Sequence, residues 1–481
     1  MTNLKTFDID KIIIPKWISS SFYNTDKLQK AYICNELNHE FIELEGLPSI
    51  LWNMLILGAK KASLEDFCKE NDCLSELNDF LSKLLSVGLI VNSKIYNPQE
   101  DGDFSNINPQ NMKNNNEDIS AIEEFEREKN IWLVKNNFLP RLFIELTHNC
   151  NEKCIHCLND KQDLKTELSF EAFKSVTDEA FMLGVPRIIL SGGECTLNKD
   201  FIKIAEYIRE KRISLEIFTN GQTLYDNENL LNRVENLYPH RVSLSLYSLN
   251  EAIHDEITGI KGSHAKTLSV IKRLKEKNIS VEIKCFAMNK NASTCTEIAK
   301  FAQELGGGVT ASLDCKFFNN PTRNNNNVRI QNKQMFKLYT DKNSLLYVKD
   351  EITSDLNSEK FKNRRICGGE FSGLSISPNG DITVCPSWKI PVGNIKTDSI
   401  KKLWNNKTQT KLKSVQSIKI KDLKECFKYE YCKHCVYCPG MAMSNNKDLK
   451  PFKDFCNDAK VRFAAYKYNQ LKNKKSLYAN I

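Results

Sequence analysis

From about Leu139 to Asp314 the sequence alternates strand-like apolar runs with helical segments, and this alternation restricts the fold more than any other feature. The strand candidates are Leu142–Thr147, Arg187–Ser191, Leu215–Thr219, Val242–Leu246, Val281–Phe286 and Val309–Leu313. Helical stretches such as Ser169–Leu183 and Ser263–Lys277 separate most of them. Parallel neighbours need crossovers of that length, so the pattern predicts a parallel sheet covered by helices, an α/β fold. In such folds functional residues collect on the loops that leave the carboxyl ends of the strands.

The loop after the first strand reads Cys150-Asn151-Glu152-Lys153-Cys154-Ile155-His156-Cys157. Thiolates at C-x3-C-x2-C can hold three irons of a four-iron cluster and leave the fourth open to a small ligand. Structural zinc is the rival reading, but it expects a second C-x2-C or His pair at zinc-ribbon distance, and none follows soon after Cys157. The second strand ends in Ser191-Gly192-Gly193-Glu194-Cys195. Glycines there let a ligand approach closely, and Glu194 offers an acceptor to a positive amine. The fourth strand runs into Ser243–Asn250, where Ser245 and Ser248 carry hydroxyls able to donate and accept. An N-cap or loop role is the plain alternative for Ser248. Thr219-Asn220-Gly221 closes the third strand, either lining the same site or forming a turn.

The triad, with His156 just before its third cysteine and Gly-Gly-Glu about forty residues later, resembles the radical S-adenosylmethionine (SAM) superfamily. The resemblance implies a partial (β/α)6 barrel, a [4Fe–4S] cluster on Cys150, Cys154 and Cys157, and SAM chelated to the open iron. One electron passed to the sulfonium would release a 5′-deoxyadenosyl radical that abstracts a substrate hydrogen. The resemblance also implies SAM contacts from His156, Gly192, Gly193, Glu194, Ser245 and Ser248. Cys195 stands where the family often has proline and is not assigned as a ligand.

Seven further cysteines lie near the carboxyl end: Cys367, Cys385, Cys426, Cys432, Cys435, Cys438 and Cys456. A hairpin through Ser375–Gly380 leads to Cys385, and the later group reads C-x5-C-x2-C-x2-C before Cys456. This resembles the SPASM extension of peptide-modifying radical SAM enzymes, which implies one or two auxiliary iron–sulfur clusters held by these seven residues. The usual later pattern is C-x2-C-x5-C-x3-C. Here a cysteine before Cys426 is absent and an extra close one is present, so ligands are not assigned to individual clusters. Seven thiolates fall short of the eight that two four-iron clusters need, so one cluster has an open iron or only one cluster is present. Zinc at Cys426, Cys432, Cys435 and Cys438 is the structural alternative. Cys34, Cys68, Cys73, Cys285, Cys295 and Cys315 lack such spacing and read as core or surface residues.

Residues 1–97 read as a small α/β unit. It has strands Lys30–Asn35 and Glu40–Leu44, a helix from Leu47-Pro48 to Leu57, a second capped by Ser63, a third buried through Leu77, Leu81, Leu84 and Leu85, and a return strand in Gly88–Asn92. This order resembles the winged-helix leader-peptide recognition module of ribosomal-peptide biosynthesis, similar to the small chaperone of pyrroloquinoline quinone assembly. The resemblance implies that a leader peptide adds as a strand to the sheet edge and packs on the third helix. A winged helix with a purely structural role is the alternative. Residues 98–138 read as a linker, whose Asn-, Asp-, Gln- and Pro-rich part would let the first unit deliver a tethered peptide, followed by a bridging helix over Ile119–Asn136. Residues 139–335 form the radical SAM core with an Asn-rich surface loop at 319–332, residues 336–465 the SPASM-type domain, and residues 466–481 a basic tail.

The start Met1–Asp8 has no apolar signal core, so seventeen cysteines argue for metal binding in a reducing cytoplasm and against a secreted disulfide framework. No apolar stretch is long enough for a membrane span. The formal charge of +8 is modest and scattered, which speaks against nucleic-acid binding. The expectation is a cytoplasmic radical SAM/SPASM maturase of a ribosomal precursor peptide, forming Cys-to-Cα thioether (sactionine) links and reduced by a donor such as flavodoxin or ferredoxin. Carbon–carbon or β/γ-thioether crosslinking, Cα epimerisation with Cys195 or Cys315 as hydrogen donor, and a non-catalytic peptide-binding iron–sulfur scaffold are the alternatives.

Overall fold

The computed structural model describes residues 12–25, 27–92, 117–157, 166–314, 328–349, 355–363, 373–405, 418–423, 425–446, 449–450 and 453–478. At the amino end β1 (Ile12–Ile13) is followed by an antiparallel meander of β2 (Ile18–Asn24), β3 (Gln29–Asn35) and β4 (Glu40–Glu45). Three helices follow, Leu47–Ile56, Lys61–Glu70 and Leu74–Ser86. The return strand β5 (Val91–Asn92) pairs with β1, not with the meander. The second helix starts at Lys61, so Ser63 lies in its first turn and does not cap it.

Strand β2 is absent from the sequence reading, and its burial explains why. Ile18 and Phe22 pack with Ala31 and Ile33 against the helices. Ser19 and Ser21 are buried on the opposite face, so Ile-Ser-Ser-Ser-Phe lacks the apolar run of a doubly buried strand. That second face does not meet solvent. Tyr23 and Tyr32 pack against Leu133, Phe125 and Trp132 of the helix Glu117–Lys135 and against Phe138.

The module is also fixed to the rest of the chain. Tyr23 Oη donates to the Gly184 carbonyl at 2.8 Å, and the Ser20 N–H donates to the Arg212 carbonyl at 2.8 Å. Arg209 donates to Ser19 Oγ at 2.6 Å and to the Lys16 carbonyl at 2.7 Å, while Arg212 reaches the carbonyls of Ile14 and Pro15. These bonds correct the expectation of a freely delivering arm, because releasing the module would leave buried donors and acceptors unpaired.

All six expected core strands form: β6 (Leu142–Glu145), β7 (Arg187–Ser191), β8 (Ser214–Thr219), β9 (Arg241–Ser245), β10 (Val281–Phe286) and β11 (Val309–Asp314). They are parallel, and each pairs with the next in sequence, with Leu142 opposite Ile188 and Val281 opposite Val309. Sequential parallel order with helical crossovers is the wall of a partial (β/α)6 barrel. Ile144, Ile188, Leu190, Leu215, Ile217, Leu244 and Ile283 are fully buried within it.

The expected carboxyl-terminal hairpin extends this same sheet. Strand β12 (Leu374–Ile376) runs parallel to β6 with Leu374 opposite Leu142, and β13 (Asp381–Thr383) and β14 (Gly393–Asn394) continue it antiparallel. Gly373 makes this junction, since a Cβ there would lie 2.0 Å from the Arg141 carbonyl oxygen. The helices Asn332–Thr340 and Lys453–Tyr478 run unbroken across the expected divisions at 335 and 465. They pack on each other, with Tyr339 Oη donating to Asp458 and Asn469 Nδ2 to the Tyr339 carbonyl at 3.0 Å. Among the described residues no helix is long and apolar enough to cross a membrane.

Candidate active site

The ends of four neighbouring strands converge on the cysteine loop. After β6 the chain passes through Thr147–Asn149, and the Gly192-Gly193-Glu194 turn after β7 closes over it. The Gly193 N–H donates to the Thr147 carbonyl at 2.7 Å and the Glu194 N–H to the Asn149 carbonyl at 2.8 Å. A Cβ on Gly192 would lie 2.4 Å from Thr147 O, and one on Gly193 would lie 2.3 Å from Asn149 O. The glycines are therefore demanded first by the backbone that opens the cysteine motif. The other side of the loop rests on the helix Glu251–Thr258, where Lys153 N donates to Thr258 O at 2.8 Å and Ile155 N to Ile257 O at 2.9 Å. These bonds satisfy carbonyls that a helix end leaves unpaired.

Cys150, Cys154 and Cys157 are each half-buried on this loop. The Glu152 N–H points to Cys150 Sγ at 3.4 Å, and Asn220 Nδ2 points to the same sulfur at 3.9 Å. Burial pushes the Cys150 thiol up to about 12, and burial with the adjacent Glu152 raises the Cys154 thiol well above its ordinary value. Glu152, also buried, is pushed up to about 7. Thiolates form in such surroundings when a metal takes the place of the proton. A single tetrahedral zinc would draw its sulfurs to about 3.8 Å of one another. Among the described residues only Cys34, Glu36 and His240 bring three ligand atoms within 4.8 Å, so the wider triad suits a multi-iron cluster. His156 is buried, its ring 4.6 Å from Tyr247 and 5.5 Å from Phe286, which fixes the third cysteine from behind.

Glu194 is buried, and its carboxylate is held by four donors. Oε1 accepts from Thr196 N at 3.2 Å, Thr196 Oγ1 at 2.6 Å and Thr219 Oγ1 at 2.7 Å, and Oε2 accepts from Asn220 N at 2.7 Å. Oε2 keeps a lone pair for an ammonium group. Ser245 is half-buried at the end of β9. Ser248 is fully buried, with its hydroxyl paired to Thr294 Oγ1 at 3.0 Å and accepting from Asn250 N at 3.1 Å. It builds the turn and does not present a hydroxyl to the site, a correction to the expected SAM contact. Cys195 is likewise fully buried, its S–H directed at the Phe218 carbonyl at 3.3 Å, so it does not face the reaction space as a hydrogen donor. Cys315 lies outside the described residues. Glu152, Asn151 and Tyr247 belong to the site without having been singled out for it, whereas Asn220 stands at the strand end that the sequence offered as a site lining or a turn.

A second cysteine site opens near the carboxyl end. Cys426, Cys432, Cys435 and Cys456 line one cavity of about 370 Å3, walled by Phe427, Tyr429, Tyr431, Tyr437 and Phe455. Burial pushes the Cys426 and Cys435 thiols up to about 12. Four thiols around such a cavity fit a fully ligated four-iron cluster. Cys456, and not Cys438, lines this cavity with the other three, so its lining differs from the four residues of the zinc alternative. Cys438 heads the helix Pro439–Asn446, and a Cβ on Gly440 would lie 3.0 Å from Ser387, two residues past Cys385. Cys438 packs on the same apolar cluster as Cys426 and Cys435 but does not line the cavity, Cys385 packs against the barrel core, and Cys367 lies outside the described residues. Cys34, Cys68, Cys73, Cys285 and Cys295 are buried.

Known proteins carry the same parts. A radical SAM superfamily domain matches residues 144–302, and a SPASM iron–sulfur cluster-binding domain matches residues 367–438. The chain is 28% identical over 330 residues to the antilisterial bacteriocin subtilosin biosynthesis protein AlbA of Bacillus subtilis, covering 66% of this chain and 70% of that protein. It is 25% identical over 345 residues to an AdoMet-dependent heme synthase of Methanosarcina barkeri, covering 66% and 96%. Streptococcus suis SuiB bound to precursor peptide SuiA shares the fold with a TM-score of 0.56 at 17% identity, over 92% of this chain and 99% of that one. The cofactors are a SAM-binding [4Fe–4S] cluster, SAM and auxiliary iron–sulfur centres. A cysteine triad at the mouth of a partial barrel, joined through a shared sheet to a second cysteine-rich site, makes this chain a radical SAM enzyme of the group that carries a SPASM extension.

Proposed function

We propose that this enzyme matures a ribosomally synthesised precursor peptide, in the cytoplasm, by joining a peptide cysteine sulfur to the Cα of another residue. The observation that carries the reading is the amino-terminal module. Its meander is locked to the barrel through β2 and β3, while the outer edge of β4 has no partner strand among the described residues. An open edge beside a catalytic barrel suits a leader peptide that binds by strand addition. Likeness to AlbA, named for subtilosin biosynthesis, and to SuiB, solved with its precursor peptide, supports the same substrate class.

When bound, SAM and its cluster supply a 5′-deoxyadenosyl radical. Glu194, oriented by Thr196, Thr219 and Asn220, receives the SAM ammonium, and the half-buried Ser245 stands at the neighbouring strand end. Atom balance for each C–S bond requires a hydrogen atom to leave Cα for that radical, the thiol proton to leave for solvent, and one electron to pass to an auxiliary cluster. The cysteine partition favours a thioether. Four thiols line one site, so Cys385, Cys438 and Cys367 could not ligate every iron of a second four-iron cluster, and an iron left open there would take a peptide thiolate. The one-electron donor is of the flavodoxin or ferredoxin type.

The test is anaerobic reaction of the reduced enzyme with a precursor peptide sought among the neighbouring reading frames, where one without cysteine would already refute the thioether. Loss of two hydrogens per linkage, mapped by fragmentation to Cys and Cα, is the expected result. An unchanged mass with an inverted stereocentre, or a carbon–carbon link, would refute it.

A further inference from the structure

Asn220 follows β8 directly and spans the two halves of the SAM site. Its backbone N–H donates to Glu194 Oε2 at 2.7 Å. Its side-chain Nδ2 donates to Asn151 Oδ1 at 2.7 Å and points to Cys150 Sγ at 3.9 Å. The amide orientation is fixed by its other end. Oδ1 accepts from the Gln222 backbone N–H at 3.0 Å, a group that can only donate, so Nδ2 must face the cysteine loop. The Asn220 carbonyl accepts from Thr267 Oγ1 at 2.9 Å, and the whole residue is buried. The next link is held too, because Asn151 Nδ2 donates to Thr223 Oγ1 at 3.2 Å. A single residue therefore fixes the distance between the Glu194 carboxylate and the sulfur of Cys150.

We propose that Asn220 is a positioning residue that keeps Cys150 in register with Glu194 and, through its N–H directed at the sulfur, raises the reduction potential of the triad's cluster. Hydrogen bonds to ligand sulfurs draw electron density away from the metal and stabilise the reduced state, and partners of metal ligands set ligand orientation. The inference rests on the triad as a SAM-binding cluster site and needs no peptide, so its failure is separate from that of the maturase reading.

The test uses the full-length protein, anaerobically reconstituted, with Asn220→Ser and Asn220→Ala. Serine keeps an oxygen able to accept the Gln222 N–H and preserve the turn, but its hydroxyl is too short to reach Cys150. An EPR-monitored redox titration follows the cluster whose signal responds to added SAM. Both variants should keep their iron and thermal midpoint, titrate at a more negative potential, and show a KM for SAM raised about 10-fold in cleavage without peptide. An unchanged potential and KM in Asn220→Ser would overturn the proposal. Loss of iron from either variant would also overturn it, by assigning Asn220 to loop folding alone.

Discussion

Replacing Arg209 by alanine should release the amino-terminal module from the barrel. Arg209 is 7% exposed and joins both bodies. It donates to the core carbonyls of Leu237 at 3.0 Å and Ile213 at 2.8 Å, and to Ser19 Oγ and Lys16 O of the module at 2.6 and 2.7 Å. Its Nη1 also lies 3.9 Å from Glu36 Oε1. Burial alone would raise the Glu36 carboxyl, but bonds from His240 and Ser19 and the Arg209 charge hold it well below the carboxylate range. Alanine would leave that carboxylate buried without its cation, at a cost of about 3–5 kcal/mol, or on the order of a thousandfold in the docking equilibrium. Hydrogen exchange reads the effect directly. Amides of Ile18–Asn35 and of Arg212–Ser214 should lose protection together, while those of β9 and β10 stay protected. Pairing Arg209→Met with Glu36→Gln should recover much of the loss, because no unpaired charge remains. The reasoning is refuted by a loss of protection below tenfold, or by a double variant whose cost equals the sum of the single costs.

Acid should weaken the same junction. Burial and the nearby Arg187 hold His240 down at about 3, so the unfolded chain binds a proton near the ordinary 6.5 that the docked protein refuses. The contribution is complete above pH 6.5 and is lost as pH falls from there towards about 3, which a pH series of module exchange rates checks. Cys456→Ser should remove about four irons per chain and abolish peptide product while SAM cleavage persists; unchanged iron content would exclude Cys456 from the cluster.

The parallel core is legible in the sequence because strands buried on both faces write continuous apolar runs, as in Ile188-Ile189-Leu190. The triad is legible because its ligands are local. What escapes depends on contacts between distant segments. Ser19 and Ser21 make sense inside a strand only once Arg209 and the helix Glu117–Lys135 cover them. Spacing groups Cys438 with its neighbours, whereas the long helix Lys453–Tyr478 brings Cys456 into the cavity instead. Ser248 and Cys195 sit at strand ends, but side-chain direction sends both into the wall, and no periodicity reports that.

The docked module and the SAM site occupy opposite ends of the barrel, and this constrains the substrate. Gly184, Arg212 and His240, which grip the module, all stand at the amino ends of β7, β8 and β9. The cysteine loop, Glu194, Asn220 and Ser245 stand at the carboxyl ends. Along β7 the two ends are at least about 13 Å apart at ~3.3 Å per residue, and a path around the sheet must also clear a layer of helices about 10 Å thick. An extended peptide covers at most ~3.5 Å per residue, so a leader held on the module reaches the site only across a spacer of about seven residues or more. Because buried bonds fix the module, the enzyme cannot shorten this distance by swinging it inward. A deletion series in the precursor should lose modification once the spacer falls below that length, with leader affinity unchanged. Full modification of a peptide whose leader directly abuts its cysteine would show that the leader binds elsewhere.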